Sequence, residues 1–77
     1  MAIELLSTER ALAQIWCDVL SVQSVQPADD FFFDLGGDSL AAKRVLLQIE
    51  QIFGVRMSIV DFFERATIRE LAQRIAS

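Results

Sequence analysis

Asp30-Phe31-Phe32-Phe33-Asp34-Leu35-Gly36-Gly37-Asp38-Ser39-Leu40 is the stretch whose reading decides the fold, because it ends by presenting a serine at the start of a helix. Gly36 and Gly37 lack a Cβ and can turn the chain where other residues resist. Asp38 is a favoured N-cap type, which puts Ser39 at the first helical position. Beyond it, Ala42, Val45, Leu46, Ile49, Ile52 and Phe53 recur with helical spacing and predict a buried stripe over residues 39–53. Gly54 then stands where a left-handed terminator is expected. A hydroxyl at position 39 is therefore exposed, oriented and close to the positive end of the helix dipole. That arrangement suits attachment of a phosphate-bearing group.

Working outward, Leu12, Ile15, Trp16, Val19 and Leu20 fall at i, i+3, i+4, i+7 and i+8, the face of an amphipathic helix over about residues 8–20. Ser7 or Thr8 has the chemistry to cap it, with Glu9 in its first turn, leaving residues 1–6 as a frayed terminus. Residues 21–38 break the period and form a long connection, a kind of segment that often carries function. Three consecutive phenylalanines inside it cannot all face one core, so two are expected to anchor the loop and one to point elsewhere. A short third helix is expected at 58–63 from Ser58, and a fourth at 67–76. Thr67 and Glu70 form a capping-box pattern there, and Ile68, Leu71, Ala72 and Ile75 supply the apolar face. The expected fold class is all-α: a small bundle of three main helices plus a short third one.

Size and composition set limits. Seventy-seven residues, 53% of them apolar, suffice for one domain with its own core and leave no room for a separate substrate domain. The chain is therefore read as a single unit over residues 1–77. The lone Cys17 cannot form an internal disulfide, and with no histidine in the chain nothing is at hand to activate it. It is expected to be a partly buried small hydrophobe. No signal peptide and no apolar run of membrane-spanning length is visible, so the chain is read as cytoplasmic. Residues 1–38 hold one basic and seven acidic side chains, a net of −6, while residues 39–77 hold six basic and four acidic, a net of +2. The acidic half lacks the basic footprint that nucleic-acid binding requires.

The stretch from Asp29 to Leu40 resembles the core motif of peptidyl carrier (thiolation) domains of nonribosomal peptide synthetases, in the phosphopantetheine-binding acyl carrier superfamily. Their pattern reads D-x-F-F-x-L-G-G-[HD]-S-[LI], with Asp at the variable position here. The likeness continues through Phe53-Gly54-Val55, Phe62-Phe63-Glu64 and Thr67-Ile68-Arg69-Glu70-Leu71-Ala72. The resemblance implies an acyl-carrier-protein-like bundle and a non-catalytic role. It implies covalent 4′-phosphopantetheine on Ser39, with Gly37, Asp38 and Leu40 as motif support and no metal site. It also implies a phosphopantetheinyl transferase that uses coenzyme A and Mg²⁺, since a serine without a base is a poor nucleophile. Further partners implied are adenylation, condensation, epimerisation and thioesterase domains of a synthetase, with the isolated domain a monomer. Asp before the serine is a feature often seen in carriers that precede an epimerisation domain.

Carriers of fatty-acid and polyketide synthesis share the bundle and are the nearest alternative, and an unmodified helical adaptor is another. Carriers of discrete fatty-acid enzymes usually present a strongly acidic second helix, whereas Lys43 and Arg44 follow Ser39 by one turn here. Docking is therefore expected to rest on Leu40, with Lys43, Arg44, Val60 and Phe62 around it. Core packing competes for Phe62, because adjacent Phe63 can take the opposite side. Gly37-Asp38-Ser39-Leu40 also spells the tetrad of one family of serine esterases, but those need a histidine and a much larger α/β fold. An EF-hand reading of residues 30–36 fails because phenylalanines stand where oxygen ligands belong.

Overall fold

The computed structural model describes residues 2–76, with side chains from Leu6 onward. Four helices follow in order: α1 (Ala2–Leu20), α2 (Ser39–Phe53), α3 (Ile59–Glu64) and α4 (Ile68–Ala76). No strand occurs among the described residues; Asp30 and Thr67 form one isolated antiparallel bridge. α1 packs against α2 and α4, and α2 against α3.

α1 begins earlier than the cap chemistry of Ser7 and Thr8 suggests. It runs from Ala2 straight through both hydroxyl residues. The residues expected to fray include Ala2, Glu4, Leu5 and Leu6, all strong helix formers. Ser and Thr fit inside a helix at modest cost, so nothing forces a start there. Met1 lies outside the described residues. At the other end α1 stops at Ser21, whose φ of 57° is left-handed without being glycine.

α2 occupies the expected span. Asp38 caps it in extended conformation, its side chain accepting from the Ala41 N–H at 2.8 Å. Gly54 closes it with φ 69° and donates its N–H to the Glu50 carbonyl at 2.9 Å. Ala42, Val45 and Ile49 are buried and Leu46 and Phe53 half-buried, but Ile52 is 56% exposed. Ile52 thus leaves the stripe assigned to it. Neighbouring residues on a helix point about 100° apart, so only one of the pair can turn inward in the last turn, and Phe53 does.

Ser58 caps α3 by accepting from the Asp61 N–H at 3.1 Å. Thr67 opens α4, where its hydroxyl accepts from the Glu70 N–H and donates to the Glu70 carboxylate. Asp61 ties the two helices together, pairing with both Arg65 and Arg74.

The core is aromatic at its centre. Trp16, Phe31 and Phe62 are all fully buried. Phe31 meets Trp16 edge-on at 4.9 Å and Phe62 at 5.0 Å. Edge-to-face pairs of this kind add about 0.5–1.5 kcal/mol beyond area burial. Leu12, Ile15, Ile68, Leu71 and Ala72 complete the interior between α1 and α4. Cys17 is half-buried and free.

Candidate functional site

The loop over residues 21–38 carries no regular structure, yet its backbone is extensively satisfied. The Phe31 N–H donates to the Ala66 carbonyl at 2.8 Å, and the Arg69 N–H to the Pro27 carbonyl at 3.1 Å. These bonds fasten the loop to the start of α4. Within it, the Asp30 carboxylate accepts from the N–H groups of Phe32 and Phe33, both at 2.9 Å. Asp34 accepts from the Asp30 N–H at 2.7 Å, and Asp29 from the Gln26 N–H at 2.9 Å. The acidic residues of the loop thus act as local turn acceptors. No cluster that could hold a metal is found among the described residues.

The helical turn made by residues 31–35 sorts the three phenylalanines. Phe31 goes into the core, Phe32 is half-buried beside it, and Phe33 is 90% exposed. Leu35 packs against the core as the turn ends. Two rings anchor the loop and one points to solvent, as the run of three requires.

The two glycines then do different jobs. Gly36 has φ +70°, with open space where a Cβ would go. Gly37 needs no positive φ; a Cβ there would lie 2.3 Å from Cε2 of Phe31. Of the two glycines able to turn the chain, the left-handed turn belongs to Gly36, and Gly37 is required by close packing. Its N–H also donates to the Phe31 carbonyl at 2.8 Å, which draws the backbone onto the ring.

Ser39 follows as the first residue of α2, exposed, its hydroxyl making no hydrogen bond among the described residues. Asp38 holds the helix start in place, so Asp38→Ala should cost about 1 kcal/mol, read as a lower urea midpoint. Beside Ser39 a groove of about 250 Å³ is lined by Val19, Leu20, Gly36, Gly37, Asp38, Leu40, Ala41 and Arg44. An unencumbered hydroxyl beside a groove with an apolar wall and a cationic edge fits a serine-linked phosphodiester followed by a short branched apolar group. Ser39 lacks a histidine anywhere in the chain to activate it.

The expected docking residues divide. Leu40 is 62% exposed, and Lys43, Arg44 and Val60 are likewise on the surface. Phe62 is not: it is fully buried against Trp16 and Phe31, and its assignment as a docking residue is corrected. Phe63 takes the outward position at 51% exposure, stacked on Phe32 with ring centroids 4.4 Å apart. The sequence held a signal for this. Ile59, Phe62 and Ala66 continue one apolar stripe at i, i+3 and i+7, whereas the stripe of Val60 and Phe63 ends on Glu64 and Thr67.

Comparison with known proteins agrees with this geometry. The phosphopantetheine attachment site family matches residues 10–75. Surfactin synthase subunit 1 of Bacillus subtilis (strain 168) is 46% identical over 70 residues, 91% of this chain but 2% of the synthetase. Among solved structures, the complex of the phosphopantetheine transferase Sfp with coenzyme A and a peptidyl carrier protein contains a chain 36% identical, with a TM-score of 0.86. This chain covers 88% of it, using 90% of its own length. The adenylation–carrier protein McyG A-PCP, complexed with phenylalanyl-adenylate, matches at 35% identity and a TM-score of 0.84 over 88% of this chain and 10% of that one. With a solvent-facing serine held at the head of α2 by the Asp-Phe-Phe…Leu-Gly-Gly loop, and with likeness along nearly its whole length, this chain belongs to the phosphopantetheine-attachment family as a peptidyl carrier domain.

Proposed function

We propose that Ser39 is the attachment point of 4′-phosphopantetheine and that the domain carries aminoacyl or peptidyl groups during nonribosomal peptide synthesis, in the cytoplasm. The observation that carries this reading is the position of the Ser39 hydroxyl. It is exposed, without a hydrogen-bond partner among the described residues, and set at the first residue of α2 within the family's match. When bound, the arm supplies a terminal thiol that holds the cargo as a thioester. Everything else falls to the chain itself. Asp38 and Gly37 fix the helix start, the phenylalanine loop anchors it to the core, and the surface of α2 and α3 meets the enzymes that do the chemistry. Tethering raises the cargo's effective concentration at each of those enzymes without any catalytic residue in the carrier.

The partners this implies are a phosphopantetheinyl transferase using coenzyme A and Mg²⁺, an adenylation domain that loads the thiol, and condensation, epimerisation or thioesterase domains that draw from it. Exposed Leu40, Val60 and Phe63, with Lys43 and Arg44, supply a mixed apolar and cationic surface for them. Phe63 replaces Phe62 in that surface. Phe63→Ala should leave stability within about 1 kcal/mol of wild type, since only a solvent-facing stack is lost. It should lower the transferase's kcat/KM about tenfold, the equivalent of about 1.4 kcal/mol of interface energy. Phe62→Ala should instead destabilise by about 3–5 kcal/mol through the cavity it leaves. Thermal melting beside transferase kinetics separates the two.

The carrier reading is tested by intact mass in two stages. A transferase and coenzyme A should add one phosphopantetheine, and an adenylation domain with amino acid and ATP should then add one aminoacyl group that hydroxylamine removes. An aminoacyl gain resistant to hydroxylamine, or one formed without the first modification, contradicts the reading.

A further inference from the structure

The groove beside Ser39 runs between the end of α1 and the first turns of α2, on the side of α2 that faces α1. Val19, Leu20, Leu40 and Ala41 give it an apolar wall, Asp38 and Leu40 place it on either side of Ser39 in the chain, and Arg44, about one and a half turns further along α2, completes the lining. Lys43 and Arg44 pair with no carboxylate among the described residues, whereas Arg56, Arg65 and Arg74 are each engaged with an acidic side chain. Asp38, the acidic member of the groove, is committed to the Ala41 N–H. The N–H groups of Ser39 and Leu40 take no acceptor among the described residues. They are the orphan donors of a helix start.

The chemistry of 4′-phosphopantetheine runs in a matching order from its point of attachment. A phosphodiester anion comes first, then a carbon bearing two methyl groups, then a hydroxyl and the first amide. Resting on the assignment of Ser39 as the attachment point, we propose that this groove is a parking site for the proximal half of the arm. The phosphodiester sits against the Arg44 guanidinium and the first N–H groups of α2, and the paired methyls lie on Val19 and Leu20. A guanidinium suits this because its hydrogen bonds to phosphate are charge-assisted. It also offsets the repulsion between the phosphodiester and the adjacent Asp38 carboxylate. The distal thiol end remains outside the groove, so parking restrains the base of the arm and leaves the cargo end free for partner enzymes.

The test starts from protein modified to completion by a transferase with coenzyme A, followed by intact mass, and then records nuclear Overhauser contacts between the arm and the protein. The inference expects contacts from the paired methyls to Val19 and Leu20, and their loss in a fully modified Arg44→Ala variant whose remaining spectrum is unchanged. Contacts that are missing from the modified wild type, directed to Val60 and Phe63, or undiminished by Arg44→Ala overturn it while leaving the Ser39 assignment standing. Failure of the mass to rise overturns both.

Discussion

Gly37→Ala is expected to destabilise the domain by about 3 kcal/mol, the upper end of what overpacking costs in a filled core. The added methyl would meet three atoms of the Phe31 ring, the nearest at 2.3 Å. The ring has nowhere to go. It is fully buried, with Trp16, Phe32 and Phe62 around it at centroid distances of 4.9, 5.1 and 5.0 Å. The Gly37 backbone cannot easily retreat either, because its N–H is bonded to the Phe31 carbonyl. A domain of this size is stable by only about 5 kcal/mol, so the variant should melt more than about 12 °C lower. Gly36→Ala gives the contrast. Its cost is the left-handed φ alone, about 1 kcal/mol, with open space for the methyl. Thermal melts of the two variants decide the matter, and a larger loss for Gly36→Ala would contradict the assignment of roles.

Ser39→Ala has the opposite profile: complete loss of modification with an intact fold. The hydroxyl is exposed and bonded to nothing among the described residues, so no structural contact disappears. Alanine is also the better helix former, and the helix is already capped by Asp38. Stability should stay within about 0.5 kcal/mol of wild type, as for surface substitutions generally. Circular dichroism and melting check the fold, and transferase assays check the loss. A variant that unfolds would assign Ser39 a structural role that the geometry does not.

Much of this was legible in the residues because several local signals agreed. Asp38, the apolar period from Ala42 to Phe53, and Gly54 each point to the same helix, and α2 occupies that span. Ser58 and the Thr67–Glu70 pair did the same for α3 and α4. The misreadings arose where a residue type serves two purposes. Ser7 and Thr8 have cap chemistry but also fit inside a helix, and only the helix-forming residues before them decide which holds. A glycine marks either a left-handed turn or a tight approach; Gly36 and Gly37 are adjacent and exemplify one each, which no spacing rule distinguishes. Phe62 and Phe63 differ by a rotation of about 100° around α3, and the inner one is chosen by Trp16 and Phe31, residues far away in sequence. The groove at Arg44 was likewise hidden, since it arises from the approach of α1 to α2.

The central claim is that this fold exists to present one serine for modification. Its most direct test is the intact mass of wild type beside Ser39→Ala after incubation with coenzyme A, Mg²⁺ and a broad-specificity phosphopantetheinyl transferase. The account predicts a gain of one phosphopantetheine on the wild type, mapped to the peptide containing Ser39, and no gain on the variant. A folded, demonstrably unmodified wild type that gains nothing, or a Ser39→Ala protein that gains the same mass, would contradict it.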